Sequence, residues 1–340
     1  MEAGLVQRES TLTFRAVPAA PLRGRGPREL ARGLGQLLHG IRATRKLIAE
    51  TRPAAILGTG GYVCVPVFIA AARARVPTVL FLPDVVPGLA VKLLARIATT
   101  VACSVEDTRS YLRRDLAITG YPARTELYTL DRATCRAVLG LHDDLPVLLV
   151  YGGSRGARSI NRAIAALLPL ILPLAQVVHV CGREGDDTFL RAAAEQLSDS
   201  LKQRYHLYPY LHSNGQPGTP TMTAALGAAD LTLCRSGAST LGELPAVGLP
   251  AVLIPYPYVH QEENADYMVQ RAAAIKIADS ALDAGSAPET GQLFIALRQL
   301  LSDGQARATM AHACHQLARP DAARQLAHLV TALASRSDPQ

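Results

Sequence analysis

Residues 235–243 read RSGASTLGE and follow the apolar run LTLC. Small, hydroxylated residues fill no core, so a buried strand that runs into them is opening onto something. Ser236, Gly237 and Ser239 suit an open turn, and Ser239 is expected to cap the helix that follows. Glu243 comes four residues later, one turn along the same face. A carboxylate there can accept hydrogen bonds from both hydroxyls of a ribose, although for the residue in isolation a solvated charge favoured by the helix dipole is the better reading. The stretch GGSRGARSIN has related chemistry. A strand ends at Tyr151, Gly152 and Gly153 turn the chain, and a helix opens near Ala157. Free amides at such a helix start, with the Ser154 hydroxyl beside them, suit a phosphate; an ordinary strand-to-helix turn is the plainer alternative. In IPYPYVHQEENADYM, a Pro-rich bend presents His260, Gln261 and Asn264, side chains that both donate to and accept from sugar hydroxyls. Nearer the start, Gly58, Gly60 and Gly61, followed by Tyr62, sit between a strand and a helix in ILGTGGYVCVPVF, and Asp84 ends another strand in FLPD.

The elements that must position these residues alternate. Short apolar runs begin at Ala54, Thr78, Thr100 and Leu116, and then at Val147, Gln176, Arg204, Leu231, Ala251 and Ala274. Longer Ala/Leu/Arg segments of helical period separate them, the pattern of parallel α/β sheets. At 340 residues, two sheets fit better than one. The expected organisation is a Rossmann-like domain over residues 1–125, a weakly periodic linker over 126–145, a second Rossmann-like domain over 146–318, and a C-terminal helical segment, 319–340. Loops at the carboxyl ends of parallel strands open on one rim, where such folds bind ligands.

Hydrophobic residues make up 49% and charged residues 19%, a composition that folds. Arg, Pro or Asp interrupts every long apolar run before the roughly 18 residues that a spanning helix needs. The start, MEAGLVQRES, lacks a secretory pattern, so the chain is expected in the cytoplasm. Six scattered cysteines without C-x-x-C spacing read as reduced thiols, and no segment has metal-ligand spacing. A net charge of +7 with five Phe and no Trp favours a phosphate ligand or an anionic membrane over nucleic acid. One segment is both basic and amphipathic: Leu30, Leu34, Leu37, Leu38 and Ile41 fall at helical spacing among Arg23, Arg25, Arg28, Arg32, Arg42, Arg45 and Lys46. Such a helix lies on an anionic leaflet or docks its leucines on a sheet.

Seven motifs in order, LRGRG, LGTGGYVCVP, PGLAVKLLARIA, TGYPAR, GGSRGARSIN, AADLTLCRSGASTLGEL and HQEENA, resemble the MurG-type glycosyltransferases. That family transfers N-acetylglucosamine from UDP-GlcNAc to undecaprenyl-diphosphate-linked MurNAc-pentapeptide. The resemblance implies a GT-B fold, two Rossmann-like domains facing across a cleft with the final helix returning to the first. It implies a donor site of Arg124 and Ser154 at the diphosphate and Thr219 near the uracil. Ala238, Ser239, Thr240, Leu241, Gly242 and Glu243 would form the nucleotide loop, with Glu243 on the ribose, while His260, Gln261 and Asn264 meet the sugar. Gly58, Gly60, Gly61, Tyr62 and Asp84 fall on the acceptor side. The sequence departs from the family pattern in three places: it shows no initial GGTGGH strand-helix-strand segment, so the first domain is expected to be N-terminally incomplete, through a late start or a true loss; Asp84 stands where HEQN is usual; and Tyr121 replaces the Asn of GNPVR.

The reaction so implied is one inverting displacement that needs no metal or cofactor, with Asp84 or His260 as the base. The enzyme would sit peripherally on the inner face of the cell membrane. Transfer to another lipid acceptor and a non-catalytic UDP-sugar-binding remnant are the alternative readings.

Overall fold

The computed structural model describes residues 4, 6, 10–19, 27–142, 144–213, 215, 218–283, 285 and 287–336, with backbone alone for 27–31 and 336. The chain forms two compact units, Met1–Gly120 with Asp321–Gln340, and Tyr121–Pro320.

In the first unit, β1 (Ile56–Gly58), β2 (Thr78–Leu82), β3 (Thr100–Cys103) and β4 (Ala117–Ile118) form a parallel sheet in chain order. Its helices are α1 (Pro27–Thr51), α2 (Cys64–Arg73) and α3 (Leu89–Ile97). The last helix of the chain, Ala322–Arg336, packs on β2 of this unit. Helix α1 divides its apolar residues: Leu37 and Ile41 pack on core clusters, whereas Leu34 and Leu38 are about half exposed. Arg23 and Arg25 lie outside the described residues, as do the side chains of Arg28 and Leu30.

The second unit contains α4 (Arg132–Val138), β5 (Val147–Tyr151), α5 (Arg158–Ile171), β6 (Gln176–Val180), α6 (Asp187–Glu195), α7 (Asp199–Lys202), β7 (Tyr205–Tyr208), α8 (Met222–Ala228), β8 (Leu231–Cys234), α9 (Thr240–Val247), β9 (Ala251–Leu253), α10 (Glu262–Gln270), β10 (Ala274–Lys276), α11 (Gln292–Ser302) and α12 (Gly304–His315). Every apolar run read as a strand contains one. The parallel sheet runs β7-β6-β5-β8-β9-β10, so chain order reverses between β5 and β8. Leu148, Val150, Leu231, Leu233 and Val252 face one core cluster with Ile164, Leu168 and Leu297. Tyr151 and Cys234, paired in register, therefore point to the opposite face.

Residues 126–145, read as a linker, belong to this second unit. Asp131 caps α4 through Thr134 N, and the buried Arg136 donates to Asp230 at 2.8 Å. The same carboxylate receives Val147 N at 2.8 Å and an ion pair from Arg132, tying α4 to the start of β5. A short helix held by one carboxylate leaves little hydrophobic period to read.

A buried polar network stands behind the turn that follows β5. Asn161 Nδ2 donates to the Cys181 carbonyl and to Asp186, each at 2.9 Å, so its Oδ1 is left to accept. His179 Nε2 lies 3.0 Å from that oxygen and must carry the proton, while Nδ1 accepts from the Tyr205 hydroxyl at 2.9 Å. Complete burial pushes the imidazole down to about 3 from its ordinary 6.5, so it stays neutral in the fold. The unfolded chain binds this proton below 6.5 and the folded chain does not, so stability falls on acidification. The loss should reach about 1.4 kcal/mol per pH unit for this group. Urea unfolding at about pH 7 and about pH 5 should show a steeper acid loss for the unaltered protein than for His179→Gln; equal losses would contradict the assignment.

Candidate functional site

The strand order reverses between β5 and β8, and the two small-residue loops follow these strands at their carboxyl ends, where such sheets bind ligands. After β5, Gly153 takes φ +88° and would have open space around a Cβ, while Ser154 is exposed at the turn. Helix α5 starts at Arg158 without a side-chain cap, so its first amides have no capping side chain.

After β8, the loop is held from behind. Ser236 is fully buried and its hydroxyl donates to the Gln261 carbonyl at 2.8 Å. Asn264, also fully buried, donates to the Ser236 carbonyl at 3.0 Å; here it braces the loop after β8, since its side chain has no exposed surface to offer a sugar. Thr240 donates to the Gly237 carbonyl at 2.6 Å. Ser239 occupies the N-cap position of α9 in helical conformation and makes no capping bond. Its hydroxyl bonds the Glu243 carboxylate instead, which overturns the expectation of a capping serine.

Glu243 is the centre of this arrangement. Burial pushes its carboxyl above the ordinary carboxylate value, and the Arg124 guanidinium and Ser239 hydroxyl pull it back. Arg124 Nη2 lies 3.5 Å from Glu243 Oε1, with side chains 28% and 22% exposed. Arg124 Nε is buried without a hydrogen-bond partner, 3.8 Å from Glu126 Oε1. Beneath them, the Tyr151 hydroxyl is sealed beside the Cys234 thiol and the Glu243 charge, and likewise lacks a partner of ordinary geometry.

Tyr121, unusual for the motif it occupies, explains how Arg124 is placed. A Cβ at Gly242 would lie 2.6 Å from Tyr121 Cδ1 and 2.8 Å from its Cβ, so the ring rests on the bare backbone of α9. That close approach sets Arg124, three residues on, beside Glu243, one residue on.

After β9, His260 is exposed, and Gln261 accepts from Tyr256 N at 3.0 Å through its side-chain oxygen. Arg235, which sequence reading passed over, ties the rim together. It donates to the Ile254 carbonyl at 3.2 Å, to Ser159 at 2.8 Å and to Asp279 at 2.5 Å, and lies over Tyr256. Its place directly after a buried strand, among residues too small to pair with it, was the available signal. Thr219 is exposed, its hydroxyl in the space a Gly215 side chain would take. Gly58, Gly60, Gly61, Tyr62 and Asp84 lie in the first unit, apart from the donor-side residues in sequence and in unit. There Gly58 fits under Phe68, Tyr62 is exposed, and Asp84 is half-buried at the end of β2. Also in that unit, α3 exposes Leu89 (75%), Leu93 (50%) and Ile97 beside Arg96, a stripe that sequence reading left unassigned.

Residues 1–103 match the glycosyltransferase family 28 N-terminal domain, and residues 147–326 match its C-terminal domain. The chain belongs to glycosyltransferase family 28. It is a hexosyltransferase of the MurG type. It is 59% identical, over 99% of its length and 82% of the relative, to the UDP-N-acetylglucosamine--N-acetylmuramyl-(pentapeptide) pyrophosphoryl-undecaprenol N-acetylglucosamine transferase of Roseiflexus sp. (strain RS-1). To the protein of the same name from Desulforudis audaxviator it is 36% identical, over 99% of this chain and 88% of the other. Its fold is GT-B, as in the crystal structure of Acinetobacter baumannii MurG, with a TM-score of 0.73, 24% identity, and coverage of 98% and 88% of the two chains.

The Tyr121–Gly242 contact has a direct test. Gly242→Ala should cost about 1–3 kcal/mol in chemical unfolding, because ring and helix cannot both stay in place. Adding Tyr121→Ala should recover most of that loss; no recovery would mean that the contact is not what excludes a side chain at position 242.

Proposed function

We propose that this chain transfers N-acetylglucosamine from UDP-N-acetylglucosamine to an N-acetylmuramyl-pentapeptide carried on undecaprenyl diphosphate. The observation that carries the reading is the convergence of the Gly153–Ser154 turn and the Glu243 helix at the strand-order reversal. One side offers uncapped amides and a hydroxyl for a diphosphate, and the other a half-buried carboxylate for a diol. Gln261 and His260 border the sugar position, and the Thr219 backbone the base.

The chemistry follows from these groups. An acceptor hydroxyl oxygen bonds the anomeric carbon as the bond from that carbon to the phosphate oxygen breaks, and UDP departs with the electron pair. Arg124, Ser154 and the first amides of α5 take up the charge that develops on the diphosphate. The hydroxyl proton passes to a base, for which Asp84 on the acceptor side and the exposed His260 are the candidates.

Among the described residues no helix is long and apolar enough to cross a membrane. A lipid-borne acceptor instead suits surface attachment through the first unit. Leu34 and Leu38 of α1 and Leu89 and Leu93 of α3 are exposed, with Arg42, Arg45, Lys46 and Arg96 on the same helices. Such attachment supports a reaction at the inner face of the cell membrane.

Three measurements test the reading. Labelled UDP-GlcNAc should yield a glycosylated undecaprenyl-diphosphate acceptor, whereas transfer to diacylglycerol alone would reject the acceptor assignment. Glu243→Gln should weaken UDP binding by about tenfold or more without lowering the thermal midpoint, since burial already disfavours the charged side chain; unchanged binding would remove Glu243 from the site. Anionic vesicles should retain the protein at low salt and release Leu89→Ser/Leu93→Ser; retention equal to the unaltered chain would move the membrane face elsewhere.

A further inference from the structure

Resting on that reading of the donor site, we infer that Arg124 and Glu243 act as stand-in ligands for each other, and that nucleotide binding exchanges their mutual ion pair for ribose and diphosphate. The pair is therefore a specificity element: the site takes a nucleoside diphosphate far better than the sum of its parts.

Three observations lead there. Arg124 Nη2 sits at Glu243 Oε1, 3.5 Å away, and the Ser239 hydroxyl also engages the carboxylate. A vicinal diol binds a carboxylate through both oxygens at once, so it competes for lone pairs already in use. The pair is also easy to open. Its distance is at the outer limit of a hydrogen bond, both side chains are partly exposed, and such pairs are weak. Finally, Arg124 is under-satisfied where it stands. Its Nε is buried without a hydrogen-bond partner, and a planar guanidinium with an unused donor is suited to a bidentate anion such as a phosphate.

The consequence is a coupling between the two halves of the ligand. A diphosphate offers Arg124, which keeps Glu126 at 3.8 Å, a stronger partner than the one it gives up, so the carboxylate is released to the ribose. Uridine alone must displace Arg124 and offers it nothing in return. Ribose recognition is thus held back until a phosphate arrives, although no residue moves between elements. The backbone at Arg124 stays anchored by the Leu127 N–H bond to its carbonyl at 3.1 Å and by Tyr121 on Gly242.

Titrating UDP and uridine into the full chain and into Arg124→Gln tests this. In the variant, UDP should weaken by about tenfold or more while uridine tightens several-fold, because Glu243 is already free. Uridine binding that is unchanged or weaker in the variant would overturn the exchange, even with UDP weakened as expected of a plain phosphate contact. A second readout needs no substitution. In the unaltered protein, added salt should weaken UDP yet strengthen neutral uridine, by screening the pair that excludes it; both ligands shifting in one direction would contradict the exchange. Failure of the unaltered chain to bind UDP at all would instead remove the donor-site reading, and the exchange with it.

Discussion

The site depends on one carboxylate held partly buried beside a guanidinium. Glu243 stands on the first turn of α9, above the face of the sheet that carries Tyr151 and Cys234. Desolvation raises its proton affinity, and Arg124 with Ser239 offset that. A fully exposed carboxylate would be screened by water and select little, and a fully buried one without partners would be neutral. Its partly buried setting leaves an acceptor in a surround less polar than water, where hydrogen bonds are stronger.

Contacts within the fold hold that carboxylate in register. Tyr121 on Gly242 fixes the distance between the Arg124 segment and α9. Asn264 and Gln261 grip the Ser236 residue that begins the loop after β8, and Arg235 joins that loop to α5, β9 and the segment after β10. On the other side of the reversal, neutral His179 and Asn161 fix the first turn of α5 against Cys181 and Asp186. The polar residues at the rim are thus of two kinds: those held by the fold and those, such as Ser154 and His260, left exposed.

Much of this was legible in the sequence, for definite reasons. Parallel strands buried on both faces are continuous apolar runs, so VLLVY and LTLC announced β5 and β8 directly, and the small residues after them announced the loops. Helical spacing is rigid, so Glu243 could be set in the first turn of α9 from the sequence. What escaped were relations between distant segments. Nothing in TGYPAR says that its tyrosine lies on a glycine at position 242, and nothing in HQEENA says that the asparagine turns inward while the histidine stays outside. The 126–145 stretch was misjudged because its place in the second unit rests on Arg136 and Asp230, an ion pair with no periodic signature. Ser239 fits every propensity for a cap, yet a nearby carboxylate outcompetes the backbone amides for its hydroxyl.

The most direct measurement is a crystal structure of the full chain with UDP bound. The account predicts both ribose hydroxyls on the Glu243 carboxylate and the diphosphate over the Gly153–Ser154 turn at the start of α5. A nucleotide seated with its ribose away from Glu243, or with its phosphates elsewhere than that turn, would contradict it.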